Sequence, residues 1–89
     1  MRKDRVTPEV YAAVALRDGH CIGPRVGMPG PCHWVLELDH VRASGALSLR
    51  SRSTPDNLVM LCRDHHRLKT ENGKTWRPAI IEYLRGEGA

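Results

Sequence analysis

Three cysteines at positions 21, 32 and 62, with a histidine three residues beyond the last, constrain this chain more than any other feature. An odd number of cysteines cannot all pair within one chain. With five histidines among 89 residues, they suit a reduced metal site better than a secreted disulfide scaffold. Cys62 and His65 have the two-residue spacing of half a tetrahedral zinc site, which takes thiolate and imidazole ligands at roughly 2.0–2.3 Å. Cys21 and Cys32 can supply the other half, a Cys3His set that uses every cysteine. The competing view is three unrelated thiols in a core, where free cysteine is common. The glycines and prolines crowded between Cys21 and Cys32 let that loop fold back without strain, which favours a shared site. His20 and His33, each beside one of these cysteines, are alternative donors.

A staple of this kind answers a need. A chain of 89 residues is expected to form one domain, spanning 1–89, with a thin core. It has no phenylalanine and only two Trp and two Tyr, so large aromatic packing cannot supply the missing stability. A core this small nets about 3–5 kcal/mol, whereas a structural zinc contributes roughly 10–16 kcal/mol of apparent binding free energy to folding. The fold is therefore expected to depend on its metal. Net charge of +4 and a pI near 9.3 favour a polyanionic partner over an acidic protein or a neutral metabolite. The first twenty residues fit neither a signal peptide nor a membrane span, which points to a cytoplasmic protein with no membrane partner.

Thr7-Pro8-Glu9 reads as a helix start: a hydroxyl cap, a proline whose missing N–H costs little there, and an acid in the first turn. The helix should span about 8–17, with Gly19 ending it. "CIGPRVGMPGPC" is a loop with a cysteine at each end. "HWVLELDHV" alternates as a strand does, with Trp34, Leu36 and Leu38 on one side and Glu37 and Asp39 on the other. Residues 42–56 read as a long polar loop, "NLVMLC" as a second strand, and "RDHHRLKTEN" as a helix closed by Gly73. A final helix is expected over about 76–85, with Pro78 in its first turn. Trp34 and Trp76 read as core residues or lids.

The adjacent histidines need separate explanations. If the chain turns helical after Cys62, His65 shares its face while His66 points about 100° further round, out of reach of the same ion. Upstream, Asp39 and His40 end the first strand with side chains on opposite sides. Asp39 with His66 could hold a divalent ion while His40 faces it across a gap. Cleavage of a phosphodiester uses such an arrangement: a base beside the attacking water and a cation beside the leaving oxygen. An isolated Asp-His pair at a strand end would carry little weight.

Together, "ELDHV", "TPDNLVMLC" and "CRDHHRLKT" resemble the HNH endonucleases, whose motif is a histidine ending a first strand, an asparagine opening the second and a histidine on the following helix. Here these are His40, Asn57 and His66. The resemblance covers about 17–72 and implies an α+β fold with a ββα-metal core over about 17–74, flanked by the N- and C-terminal helices. It implies His40 as general base, Asp39 and His66 as ligands of a catalytic magnesium or manganese (nickel or zinc also being tolerated), and Asn57 as a brace for the loop after His40. Many small members also carry a structural zinc bound by two CxxC pairs. This chain departs twice: the second pair is CxxH, and the first is split by ten residues.

Arg42, Arg50, Arg52, Arg63, Arg67 and Lys69 would surround such a site and contact DNA phosphates, giving salt-sensitive affinity with little base reading. The expected function is metal-dependent hydrolysis of DNA phosphodiesters. A non-catalytic zinc-binding nucleic-acid module and the same chemistry on RNA are the alternatives. Small standalone HNH proteins are frequent in bacteriophages beside the packaging terminase, so the terminase large subunit is an expected partner by analogy alone.

Overall fold

The apolar run Leu58–Cys62 has no polar side chain with which to face water, and every one of its residues is buried. In the computed structural model, which describes residues 5–42 and 53–86, this run is strand β2. It pairs antiparallel with β1, Leu36–His40, in a register that sets Leu36 against Cys62 and His40 against Leu58. Its other edge is satisfied too: Ile22 N–H donates to Met60 O at 2.9 Å, and Met60 N–H donates to Asp18 Oδ2 at 2.8 Å. Helices α1 (Pro8–Asp18), α2 (Arg63–Glu71) and α3 (Gly73–Gly86) complete an α+β domain, with short 3-10 turns at Gly23–Val26 and Pro55–Asn57. Among the described residues, an apolar cluster joins Ile22, Met28, Val41, Val59, Leu61, Ile80 and Leu84 to the buried cysteines.

Local chemistry explains the helix ends. Thr7 Oγ1 accepts from Val10 N–H at 3.2 Å, and α1 stops where Gly19 takes φ +76°. Cys62 closes β2 and caps α2, its Sγ accepting from His65 N–H at 3.4 Å. Because no linker separates β2 from α2, the helix must fold straight back over the hairpin.

Three expectations need correction. Gly73 does not merely end α2; it opens α3, because Thr75 and Trp76 donate to Asn72 O and start a new helix three residues early. That places Pro78 inside the helix. The first strand begins at Leu36, not at residue 33, and Trp34 is 87% exposed, stacked on His33 with ring centroids 5.4 Å apart. The segment before β1 curls to deliver Cys32, so Trp34 never joins the pleat. The buried side of β1 is the opposite of what its leucines suggest: Asp39 is 3% exposed and Leu36 42%. Trp76 does pack against the core.

Asp18, wholly buried at the end of α1, ties three elements together. It receives Arg17 Nε at 2.8 Å, Met60 N–H from β2 and the Tyr83 hydroxyl of α3 at 2.6 Å. The Arg17 guanidinium also donates to Pro55 O and Leu58 O. Truncating one member of a buried charge pair leaves its partner unpaired, so Asp18→Ala should cost about 3–5 kcal/mol, and Tyr83→Phe about 1–2 kcal/mol. Urea denaturation at constant metal content measures both; equal, near-zero losses would show that the network is incidental.

Candidate metal centre and the neighbouring carboxylate–histidine cluster

Cys21, Cys32, Cys62 and His65 come together from four parts of the chain, with all donor atoms within 4.8 Å of one another. Their sulfurs surround one ring nitrogen: Cys21 and Cys62 Sγ lie 3.3 Å from His65 Nδ1 and Cys32 Sγ lies 3.8 Å from it. In a tetrahedral zinc site, bonds near 2.3 Å to sulfur and 2.0 Å to nitrogen would separate those donors by about 3.5 Å. The four residues can therefore hold a metal ion such as zinc. His65 Nε2 donates to Pro29 O at 3.0 Å, which leaves the Nδ1 lone pair for an ion held among the sulfurs. Gly23 N–H donates to Cys21 Sγ at 3.3 Å, and a Cβ at Gly23 would lie 2.7 Å from His65 Nδ1, so the close approach requires glycine.

The two alternative donors are employed elsewhere. His33 Nδ1 accepts from Val35 N–H at 3.0 Å, and His20 sits against its neighbouring backbone and Arg25. Without metal, burial pushes the Cys21 thiol up to about 11. Burial acts the same way on Cys62, but N–H donors from His65 and His33 outweigh it and hold that thiol below its ordinary value. A cation would deprotonate both thiols.

One residue on, His66 faces a different set of groups. Its Nδ1 lies 2.7 Å from Glu37 Oε1 and its Nε2 3.0 Å from Asp39 Oδ1. The adjacent histidines thus serve separate clusters, as the helical geometry requires. Asp39 Oδ2 is buried, and Lys69 Nζ stands 3.2 Å from it but off hydrogen-bonding geometry, so this oxygen accepts no hydrogen bond among the described residues. Lys69 donates to His40 O at 2.9 Å and is 6% exposed. That corrects its expected role on a DNA-binding rim, because an ammonium buried against Asp39 cannot reach a phosphate backbone.

His40 Nε2 lies 3.0 Å from Ser53 Oγ. Asn57 grips the chain just past His40 by both ends of its amide: Oδ1 accepts from Arg42 N–H at 3.0 Å and Nδ2 donates to Arg42 O at 3.3 Å. Sequence reasoning overlooked Glu37 and Ser53. Glu37 was detectable, two residues from Asp39 on the same strand face; Ser53 carries no sequence signal. Arg42, Arg63 and Arg67 are exposed, and Arg50 and Arg52 lie outside the described residues. An additional cleft of about 440 Å³ is lined by Arg42, Lys74, Arg77 and Arg85, with Glu82 paired to Arg85 at 3.8 Å, together with Pro78 and Ile81. No described helix is long and apolar enough to cross a membrane.

Two outcomes test this geometry. Purified protein should contain one equivalent of zinc by mass spectrometry, and Cys62→Ala should lose both the metal and cooperative unfolding. The second concerns pH. The hydrogen bond that His66 donates to Asp39, then that to Glu37, raises the His66 pKa, while His66 lowers that of Glu37. The ion pair therefore contributes fully above the ordinary carboxylate value of about 4.3 and below the ordinary imidazole value of about 6.5. Its contribution is lost as pH rises through the raised His66 value. An NMR titration without added divalent ions should place the His66 midpoint above 6.5 by this reasoning, and a midpoint at or below it would contradict the arrangement.

No family model, curated protein or solved structure matches this chain, so the chemistry of these clusters has to be inferred from the residues themselves.

Proposed function

We propose that the protein is a small metal-dependent endonuclease that hydrolyses DNA phosphodiesters, with a structural zinc on Cys21, Cys32, Cys62 and His65. One observation carries this reading: Asp39 Oδ1 and His66 Nε2 converge to 3.0 Å at the end of the strand that bears His40. Two adjacent donors on an octahedral ion with bonds near 2.1 Å stand about 3 Å apart. Asp39 Oδ2 faces the Lys69 ammonium at 3.2 Å, so Oδ1 is the carboxylate oxygen offered to that ion. Carboxylate and imidazole together suit magnesium or manganese, and the imidazole also admits nickel or zinc. When bound, such an ion supplies positive charge beside the phosphate and the departing 3′ oxygen.

His40 has the proton-transfer role. An imidazole can take a proton from the attacking water near neutral pH, and unlike a carboxylate it does not repel the phosphate. The base is held from several directions: Ser53 at Nε2, Lys69 at its carbonyl, and Asn57 on the backbone of Arg42. The cleft of Arg42, Lys74, Arg77 and Arg85 offers a path for the polyanion. A different reading has one observation in its favour. His66 between two carboxylates, with Lys69 beside them, is already neutralised, as it could be in a non-catalytic zinc-binding nucleic-acid module.

A plasmid-nicking assay with manganese separates the two. His40→Ala should reduce cleavage by at least about 100-fold, in line with the worth of a general base, while melting temperature and zinc content stay at wild-type values. Wild-type protein that cleaves no faster than the variant across magnesium, manganese and nickel would leave the non-catalytic module. Running the assay on RNA in parallel identifies the polymer.

A further inference from the structure

Glu37 belongs to no donor set described so far, yet its carboxylate approaches His66 more closely than that of Asp39. Oε1 is 2.7 Å from Nδ1, against 3.0 Å between Asp39 Oδ1 and Nε2. One ring thus lies between two carboxylates, each facing a different nitrogen. A neutral imidazole carries a single proton, which it can donate to only one of them; the other nitrogen then presents a lone pair. Were Asp39 the sole acceptor, the proton would settle on Nε2, between the ring and Asp39. That is the nitrogen a cation shared with Asp39 would need.

The strand places the competing acceptor where it is effective. Glu37 and Asp39 are two residues apart on one face of β1, so a ring lying along the strand can touch both. Arg63, one helical turn before His66, stands 3.6 Å from Glu37 Oε2, on the side of the carboxylate that the ring does not use. The 2.7 Å contact is in the range of strong charge-assisted hydrogen bonds.

We propose that Glu37 is a positioning residue that holds the His66 proton on Nδ1 and so keeps Nε2 available, beside Asp39, as a donor to a divalent cation. This rests on the reading above that Asp39 and His66 take such an ion. Carboxylates that accept the second N–H of a ligating histidine typically account for 10–100-fold in metal affinity. Glu37 is partly exposed and packs into no apolar cluster, so its removal can be tested without dismantling the fold.

The experiment uses the zinc-loaded full chain, at a pH above the His66 titration. Manganese binding is measured by electron paramagnetic resonance, and the His66 tautomer by long-range proton–nitrogen NMR. Wild type, Asp39→Ala, Glu37→Ala and Glu37→Gln are compared, with melting temperature and zinc content as controls. Wild type should show the Nδ1–H tautomer, and Asp39→Ala should abolish manganese binding. Glu37→Ala should move the proton to Nε2 and weaken binding 10–100-fold, with unchanged melting and zinc. Glu37→Gln, whose amide oxygen still accepts, should restore part of the affinity. If Asp39→Ala abolishes binding while Glu37→Ala leaves affinity and tautomer unaltered, the role of Glu37 is refuted and the ion site stands. If wild type binds no manganese, or Asp39→Ala binds it equally well, the ion site and the inference built on it both fail. Loss of zinc and melting temperature in both Glu37 variants would mark the residue as scaffold and overturn the proposal.

Discussion

The placement of Cys62 is the constraint on which the rest of this structure depends. The residue ends the central strand, caps the following helix through its sulfur, and contributes that sulfur to the cluster with Cys21, Cys32 and His65. Its backbone fixes where the hairpin stops and its side chain fixes where the helix begins, so neither can shift without breaking the group of four. In a domain with so few aromatic residues, one side chain that serves strand, helix and metal group does what a larger core would do elsewhere.

From that corner, α2 is aimed along β1. His65 turns inward to the sulfurs, and His66, a helical step further round, meets Glu37 and Asp39. Burying Asp39 is costly unless it is paired or hydrogen-bonded. The Lys69 ammonium and the His66 ring both face it, from successive turns of the same helix. This explains why the polar side of β1 lies under α2 while Leu36 and Trp34 remain exposed, the reverse of ordinary amphipathic burial.

Much of this was legible in the sequence because it followed from short-range rules. The Thr7-Pro8 helix start, the apolar run of β2, the x2 spacing of Cys62 and His65, and the divergence of adjacent histidines on a helix all depend on residues within a turn or two of one another. The ten-residue gap between Cys21 and Cys32 proved no obstacle to a shared cluster. Sequence reasoning failed where distant partners decided the outcome. Trp34 was drawn out of the strand by the course of the chain from Cys32, and Lys69 was drawn from solvent by Asp39 and the His40 carbonyl. Ser53 gained its contact with His40 only through the hairpin closure. No local pattern announces such pairings. The exposure of Leu36 likewise could not be seen while alternation alone assigned the leucines inward.

A single peptide bond separates His65 from His66, and this makes the two clusters mechanically inseparable. Any ion stripped from the thiolates would free the first ring, and the backbone unit that it shares with the second would lose its anchor. On the proposed reading, in which Asp39 and His66 take a second ion, a strong chelator would therefore be blind to which ion had mattered, since taking away architecture and taking away chemistry would look alike. Only an exchange gentle enough to spare the sulfur-bound ion could tell them apart.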